Sequence, residues 1–334
     1  MAEPARKSAG SDNRPQLPAP RWPDVPFADV PTAESMRTLH MHLYAEPEGD
    51  NRPVVVYVYG GGWFYGDHTN RRNNNLFLSE LLQLTREGFV IAAVEHRTGP
   101  EAPFPAQIHD IKGAVRFLRT HASDYGIDPD RIGMLGESSG GHLCTLMALT
   151  GDNPDLEGDS GGNQGHSSRI QAAVDFFGPT DLLTYLDEYD RELLGPGGPL
   201  CMPVKGKTPE EWPLYTPDAM LLGYAGPGKS TRHLMEVAAA GDTSDPDWRY
   251  VELARKASPL HYVCSESAPL LILQGMRDPL LPYAQSWRLY LALCREGADV
   301  WFMSRNQAGH GPTMGNLCDG TALDFLRMKL RGRL

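Results

Sequence analysis

Short apolar runs that alternate with segments of helical spacing most constrain the fold of this chain. Residues 53–60 and 89–97 are continuous runs rich in Val, Ile and Ala, which is typical of strands buried in a central sheet. Residues 76–87 and 105–125 have the apolar spacing of helices. This alternation predicts one mostly parallel sheet with helices on both faces.

Two parts of the chain break the alternation. Residues 1–30 are dominated by Pro, Ala and charge without any period, so we expect a flexible N-terminal arm before a domain at 31–334. Residues 182–259 are far longer than an ordinary connection between strands and predict an inserted cap.

The predicted cap carries aromatic side chains among polar residues and prolines: Trp212, Tyr215, Tyr224, Trp248 and Tyr250. This mixture lacks a long apolar face, and it suits contact with a small amphipathic molecule such as a sugar or a phenolic. The alternative, that the segment only packs over the sheet edge, stays open.

Composition excludes several classes of protein. The chain has 334 residues, of which 41% are hydrophobic, enough for a large core and against disorder over most of the length. Its net charge of -11 and the lack of a Lys/Arg block argue against a nucleic-acid partner. Oligomeric state stays open, including a homo-oligomer.

The protein is expected to be cytoplasmic. The five cysteines are scattered without a CxxC pair, no apolar signal region begins the chain, and no run of 18 apolar residues occurs. We therefore expect a soluble protein in a reducing compartment, with no membrane partner. Secretion remains an alternative if a signal peptide has been removed.

A candidate nucleophile lies in the stretch RIGMLGESSGGHL, residues 131–143. Gly136 and Gly140 flank Ser138 two positions away on each side, between an apolar run and a helical segment. A serine raised on such a strand-to-helix turn needs neighbours without side chains. The motif also occurs by chance in glycine-rich loops, so it needs partners elsewhere in the chain.

The predicted partners follow in the order that this type of sheet requires. Asp278 lies three residues beyond the apolar run that ends at Gly275, and His310 lies between two glycines after the last predicted strand. Serine needs a base in contact and an acid that holds the base in the correct tautomer. The sequence order Ser138, Asp278, His310 therefore predicts a catalytic triad, although Asp-Pro and a loop histidine are also ordinary turn features.

A glycine run supplies candidate donors for an oxyanion hole. Gly61 and Gly62 follow a predicted buried strand, and the N–H of Ser139 follows the nucleophile at a helix N-terminus. A phosphate-binding loop is a much weaker reading, because no Gly-Lys-Ser/Thr follows the glycines. Trp63, directly after this loop, is a candidate for substrate binding, and core packing is an equally good alternative.

These residues resemble a known family. YGGGW at 59–63, GESSGG at 136–141, GMRDP at 275–279 and AGHG at 308–311 look like motifs of the α/β-hydrolase superfamily. More narrowly, they resemble esterases of the hormone-sensitive-lipase type and the acetyl esterase and feruloyl esterase-like group with an HGGGW loop. The resemblance implies an α/β-hydrolase fold with Ser138, Asp278 and His310 as the triad and Gly61, Gly62 and Ser139 as oxyanion donors.

The chain departs from that family pattern before the glycines. Tyr59 stands where the family usually has a histidine that supports the oxyanion loop, so we expect its hydroxyl to take over this role. Glu137 is expected to brace the nucleophile turn, and His142 to be a buried hydrogen-bonded residue.

The predicted function is a carboxylesterase that hydrolyses short-acyl esters through an acyl-enzyme. The substrate would be a small ester, and no cofactor is expected. No histidine and carboxylate cluster has metal-ligand spacing along the chain, so no metal site is expected either. The alternatives are an amidase, formamidase or peptidase on the same fold and a binding protein that has lost the chemistry.

Overall fold

The predicted mostly parallel sheet is confirmed. The computed structural model describes residues 17–69, 76–184, 206–208, 210–311 and 320–331. Within these ranges eight strands form one sheet in the order β1-β2-β4-β3-β5-β6-β7-β8. The strands are β1 (Trp22–Pro31), β2 (Met36–Tyr44), β3 (Arg52–Val58), β4 (Val90–Val94), β5 (Ile127–Glu137), β6 (Ala172–Phe176), β7 (Leu270–Gly275) and β8 (Val300–Arg305). Strands β1 and β2 are antiparallel to their neighbours, and the other pairs are parallel.

Helices cover both faces of the sheet. In the described ranges they are α1 (Leu76–Leu81), α2 (Ala106–Thr120), α3 (Ala122–Tyr125), α4 (Ser139–Leu149), α5 (Pro154–Glu157), α6 (Pro217–Leu221), α7 (Thr231–Ala240), α8 (Trp248–Lys256), α9 (Tyr283–Glu296) and α10 (Thr321–Arg331). Each of these helices is too short or too polar to cross a lipid bilayer.

Strand β3 shows why two hydrophobic cores form. All of its residues are buried, because a central parallel strand is covered on both faces. Val54, Val56 and Val58 belong to the core that includes α2, α4 and α9. Val55 and Tyr57 belong to the core on the opposite face, with α1 and α10. The alternation of side chains along a strand thus anchors both helical layers.

The N-terminal arm is shorter than expected. Residues 22–31 form the edge strand β1, which pairs with β2, so the expected flexible arm at 1–30 is wrong for residues 22–30. Residues 1–16 lie outside the described residues. The prolines of β1 hid the strand in the sequence, yet an edge strand tolerates proline because one side of its backbone needs no partner.

The segment between β6 and β7 is largely helical where it is described. It contains α6, α7 and α8, and α7 packs on α8. Tyr224 is fully buried here, its ring lies 4.5 Å from that of Tyr250, and its hydroxyl donates to Asp247 Oδ2. Residues 185–205 and 209 of the predicted cap lie outside the described residues, so the cap boundaries remain a prediction.

Candidate active site

Ser138 lies on a strained turn between β5 and α4. Its φ of 55° and ψ of -122° place a residue with a side chain in the left-handed region, which such residues rarely adopt. The N–H of Ser138 donates to the carbonyl of Phe176 at 2.8 Å. Because the turn stands at the carboxyl end of β5, the hydroxyl is presented at the C-terminal edge of the sheet.

The flanking glycines allow this turn sterically. A Cβ on Gly136 would lie 2.5 Å from the carbonyl group of Gly140, and a Cβ on Gly140 would lie 2.1 Å from the carbonyl oxygen of Val58. Neither position has room for a side chain, as the motif predicted.

Asp278 and His310 form a hydrogen-bonded pair. His310 Nδ1 lies 2.9 Å from Asp278 Oδ2, and the Asp278 side chain is fully buried. The other carboxylate oxygen, Oδ1, accepts from the N–H groups of Leu280 and Leu281, each at 2.8 Å. Gln274 Nε2 donates to Oδ2 at 3.3 Å. These bonds fix the carboxylate in one orientation, with Oδ2 toward the imidazole.

The end of β6 contacts both this pair and the turn of Ser138. The His310 ring lies 4.3 Å from the ring of Phe177, which directly follows the residue that accepts the N–H of Ser138. Ser138 and His310 are both described, and no hydrogen bond joins them. Such contacts are often long in ligand-free enzymes and tighten when substrate binds.

The glycine loop presents free backbone donors beside Ser138. Gly61 and Gly62 have φ values of 134° and 63°, which favour glycine. Within the described ranges, the N–H groups of Gly61, Gly62 and Ser139 donate to no protein acceptor. A Cβ on Gly60 would lie 3.2 Å from Ser138 Cβ, so the loop packs directly on the nucleophile turn.

A comparison with known families identifies the family of this chain. The sequence model of the BD-FAE family matches residues 41–195 and 243–293, more than half of the chain. This chain belongs to the BD-FAE family.

Individual relatives of this BD-FAE chain are named as esterases. Esterase LipQ of Mycobacterium tuberculosis is 28% identical over 305 residues, which cover 89% of this chain and 60% of that protein. The chain spans between 49% and 60% of the length of this and two further mycobacterial relatives.

Solved structures confirm the α/β-hydrolase fold. A truncated carbohydrate esterase from gut microbiota superposes with a TM-score of 0.68 at 26% identity, covering 94% of this chain and 100% of that chain. A bifunctional GH43-CE protein of Bacteroides eggerthii has a TM-score of 0.69 at 27% identity, covering 94% of this chain and 36% of that chain.

Glu137 braces the glycine loop of this BD-FAE chain. Its Oε1 accepts from the N–H of Gly60 and from the hydroxyl of Tyr57, both at 3.0 Å. The expected bracing role of this carboxylate is therefore confirmed, and it extends from the turn to the glycine loop.

Tyr59 packs beneath the glycine loop. Among the described residues no hydrogen bond joins its buried hydroxyl to that loop, so the expected support by the hydroxyl is not seen. The ring stacks on His96 at 4.8 Å, and a Cβ on Gly66 would lie 2.3 Å from it. The tyrosine fills space under the loop, and burial raises the pKa of its hydroxyl.

Trp63 packs in the core, which agrees with the packing alternative, and its expected role in substrate binding stays a prediction. Its side chain is buried in the core with α2 and α4, and its indole N–H donates to His142 Nδ1 at 3.1 Å. Nε2 of His142 lies 2.7 Å from the carbonyl of Ala257, so this ring nitrogen carries the proton. Burial lowers the pKa of His142 to about 4, which keeps it neutral and structural, as expected.

Helix α6, in the segment predicted to be a cap, lies against the glycine loop. A Cβ on Gly62 would lie 2.9 Å from Pro217 Cβ, and the N–H of Phe104 donates to the carbonyl of Leu221 at 2.7 Å. The beginning of α6 therefore lies directly against the loop that carries the candidate oxyanion donors.

Residues that the sequence did not single out complete the site. Phe177 supports the His310 ring, and Gln274 holds the carboxylate of Asp278. Their positions at the ends of β6 and β7 were a usable signal, since these strand ends meet at the edge that carries Ser138.

One group of potential metal ligands was not apparent from the spacing of residues along the chain. Asp24, His42 and His68 bring potential ligand atoms within 4.8 Å of one another. Spacing along the chain did not reveal this group, because two of its members meet by pairing of β1 with β2 and the third comes from the loop after Trp63.

Proposed function

We propose that this chain is a serine carboxylesterase that hydrolyses short-acyl esters of small polar alcohols through an acyl-enzyme. The observation that carries the proposal is the Asp278–His310 pair, bonded at 2.9 Å, beside the strained turn of Ser138. The names of the relatives support ester hydrolysis. The carbohydrate esterase names among the solved structures support a sugar or similar alcohol.

The catalytic steps follow from the atoms of the pair. His310 Nε2 takes the proton from Ser138 Oγ while this oxygen attacks the ester carbonyl. Asp278 Oδ2 accepts the hydrogen bond from His310 Nδ1–H and stabilises the imidazolium that forms. His310 then gives the proton to the departing alcohol, and a water molecule repeats the sequence on the acyl-enzyme.

The oxyanion of the tetrahedral intermediate would be bound by backbone N–H groups. Those of Gly61, Gly62 and Ser139 have no protein acceptor in the described ranges, so they can donate without losing another bond. Ser139 is also the first residue of α4, where the helix dipole favours negative charge. No cofactor takes part in these steps.

A substrate panel tests the proposed bond and acyl group. We expect kcat/KM with nitrophenyl esters to be highest for acetyl to butyryl and to fall at least about tenfold beyond about six carbons. Acetylated sugars and feruloyl esters test the alcohol, and a matched acetanilide and a formamide test the bond. Better turnover of the anilide or formamide would move the assignment to an amidase, and efficient hydrolysis of long-chain triglyceride emulsions would contradict it.

Variants of two tryptophans in the predicted cap test whether each side chain contacts the substrate or only packs. Trp212 is half-buried five residues before Pro217, which contacts the oxyanion loop, and we propose that it shapes the alcohol side of the pocket. Trp248 packs on the core, with the Arg255 guanidinium 5.1 Å from its ring. We expect Trp212→Ala to change KM between alcohols with little change in Tm, and Trp248→Ala chiefly to lower Tm.

The two variants serve as controls for each other in one experiment. KM for an aryl acetate and an acetylated sugar is measured beside the melting curve of each variant. A loss of Tm in Trp212→Ala without any change in the KM ratio would show that this side chain only packs.

A further inference from the structure

A cluster of ligating side chains lies at the sheet edge beyond the proposed active site. Asp24 comes from β1, His42 from β2, and His68 from the loop that follows Trp63. Asp24 Oδ1 lies 2.8 Å from His68 Nε2 and 3.8 Å from His42 Nδ1. These side chains are far apart in the sequence and play no part in the proposed ester hydrolysis.

The spacing of the cluster fits a tetrahedral metal ion. Zinc binds histidine nitrogen and carboxylate oxygen at about 2.0 to 2.2 Å, so neighbouring ligand atoms around it are roughly 3.3 Å apart. The 2.8 Å and 3.8 Å separations from Asp24 Oδ1 lie on either side of that value. All three ligand atoms lie within 4.8 Å of one another, so the side chains would have to draw closer together to enclose an ion.

A strand irregularity places the carboxylate. Asp24 has a φ of 47°, and the register of β1 against β2 shifts between Trp22 and Val25, as in a bulge that redirects a side chain. The N–H of Asp24 donates to His42 Nδ1 at 3.0 Å. This bond directs the lone pair of Nδ1 toward Asp24, and a metal ion would take it over from the N–H.

A second carboxylate orients His68. Its Nδ1 lies 3.0 Å from Glu95 Oε1, the arrangement in which a carboxylate holds a metal-binding histidine. Glu95 is itself held by the Arg37 guanidinium at 3.1 Å and by the N–H of His40 at 2.9 Å. The other nitrogen, Nε2, is thereby directed at Asp24.

The cluster is open to solvent on one side. The His42 and His68 side chains are buried, whereas the Asp24 side chain is 66% exposed. An ion can therefore enter from the side of Asp24 and reach two fixed imidazoles.

We propose that Asp24, His42 and His68 form a binding site for a divalent transition metal such as Zn²⁺, with water in the fourth position. Two histidines and one carboxylate suit zinc better than Mg²⁺ or Ca²⁺, which prefer all-oxygen ligands. The ion would tie the edge strand β1 to the loop after Trp63. It would thereby stabilise the chain that continues from the oxyanion loop.

Zinc binding is measured directly, without reference to esterase activity. Tag-free protein stripped with a chelator is titrated with Zn²⁺ against a chromophoric chelator, with Mg²⁺ as the control ion. We expect one tight equivalent in the wild type, and affinity at this site at least ~10- to 100-fold lower in Asp24→Asn and His42→Gln. We also expect Zn²⁺ to raise the Tm of the wild type and to leave that of Asp24→Asn unchanged.

A matched control removes a histidine from an ordinary pair. His121 Nδ1 lies 2.9 Å from Asp124 Oδ2 at the surface, so His121→Gln is expected to keep the wild-type zinc affinity. Asp24→Asn should fold normally, because the side chain is exposed and asparagine tolerates a positive φ. The proposal is overturned if the wild type binds no zinc, or if Asp24→Asn and His42→Gln both bind it as tightly as the wild type.

Discussion

Replacing Ser138 by alanine is expected to lower kcat at least ~10³-fold, whereas Ser139→Ala should cost far less. The first change removes the oxygen that attacks the ester. The second keeps the backbone N–H of residue 139, the group proposed to bind the oxyanion, and removes a buried hydroxyl without a partner in the described ranges. The measurements are kcat with nitrophenyl acetate and labelling by a fluorophosphonate probe.

The two serine variants control for each other, because both lie at the same turn. Far-UV circular dichroism and Tm show whether each variant is folded. Equal losses of kcat in both, or continued fluorophosphonate labelling of Ser138→Ala, would remove Ser138 from the role of nucleophile. Absence of labelling in the wild type would support a binding protein instead.

The second large effect is expected from Asp278→Asn, which should lower kcat by about 10⁴-fold. Oδ1 of Asp278 accepts two backbone N–H groups, so the oxygen of the new amide stays in that place. Its NH₂ group then faces His310 Nδ1 and donates to it. The proton of the imidazole is forced onto Nε2, which can no longer accept the proton of Ser138.

The surface pair of Asp124 and His121 offers the matched control. Asp124→Asn alters a histidine and carboxylate contact of the same length, 2.9 Å, and should leave kcat unchanged. Substitution at 278 should lower kcat in a folded variant, with some loss of Tm because the new NH₂ group also faces the NH₂ of Gln274. Full turnover by Asp278→Asn would mean that another acid orients His310.

Much of the fold was predictable because its signals are local. The buried β-branched runs of β3 and β4 and the helical spacing of α2 predict a covered parallel sheet. Strand β1 was missed, since its prolines are compatible with a strand only at a sheet edge, and position in the sheet is not a local property.

The candidate nucleophile was also predictable, because its signal is local. Gly136 and Gly140 are required by steric contacts at the turn itself, so the motif marks Ser138 as a candidate, which Asp278 and His310 then support through their order in the chain. The roles of side chains near the site were less predictable. Trp63 and Tyr59 both follow β3. Only the tertiary structure shows that the Trp63 side chain is buried against His142. It also shows that, among the described residues, no hydrogen bond joins the Tyr59 hydroxyl to the glycine loop.

By itself, the sequence determined the parallel sheet, the strained turn of Ser138 and the order of the candidates Ser138, Asp278 and His310, because strand periodicity and turn sterics act over a few residues. The tertiary structure alone decided which carboxylate oxygen faces His310, that Glu137 braces the glycine loop, and that Asp24, His42 and His68 meet. These contacts depend on strand pairing and loop packing between residues far apart in the chain, and no local pattern encodes such distances.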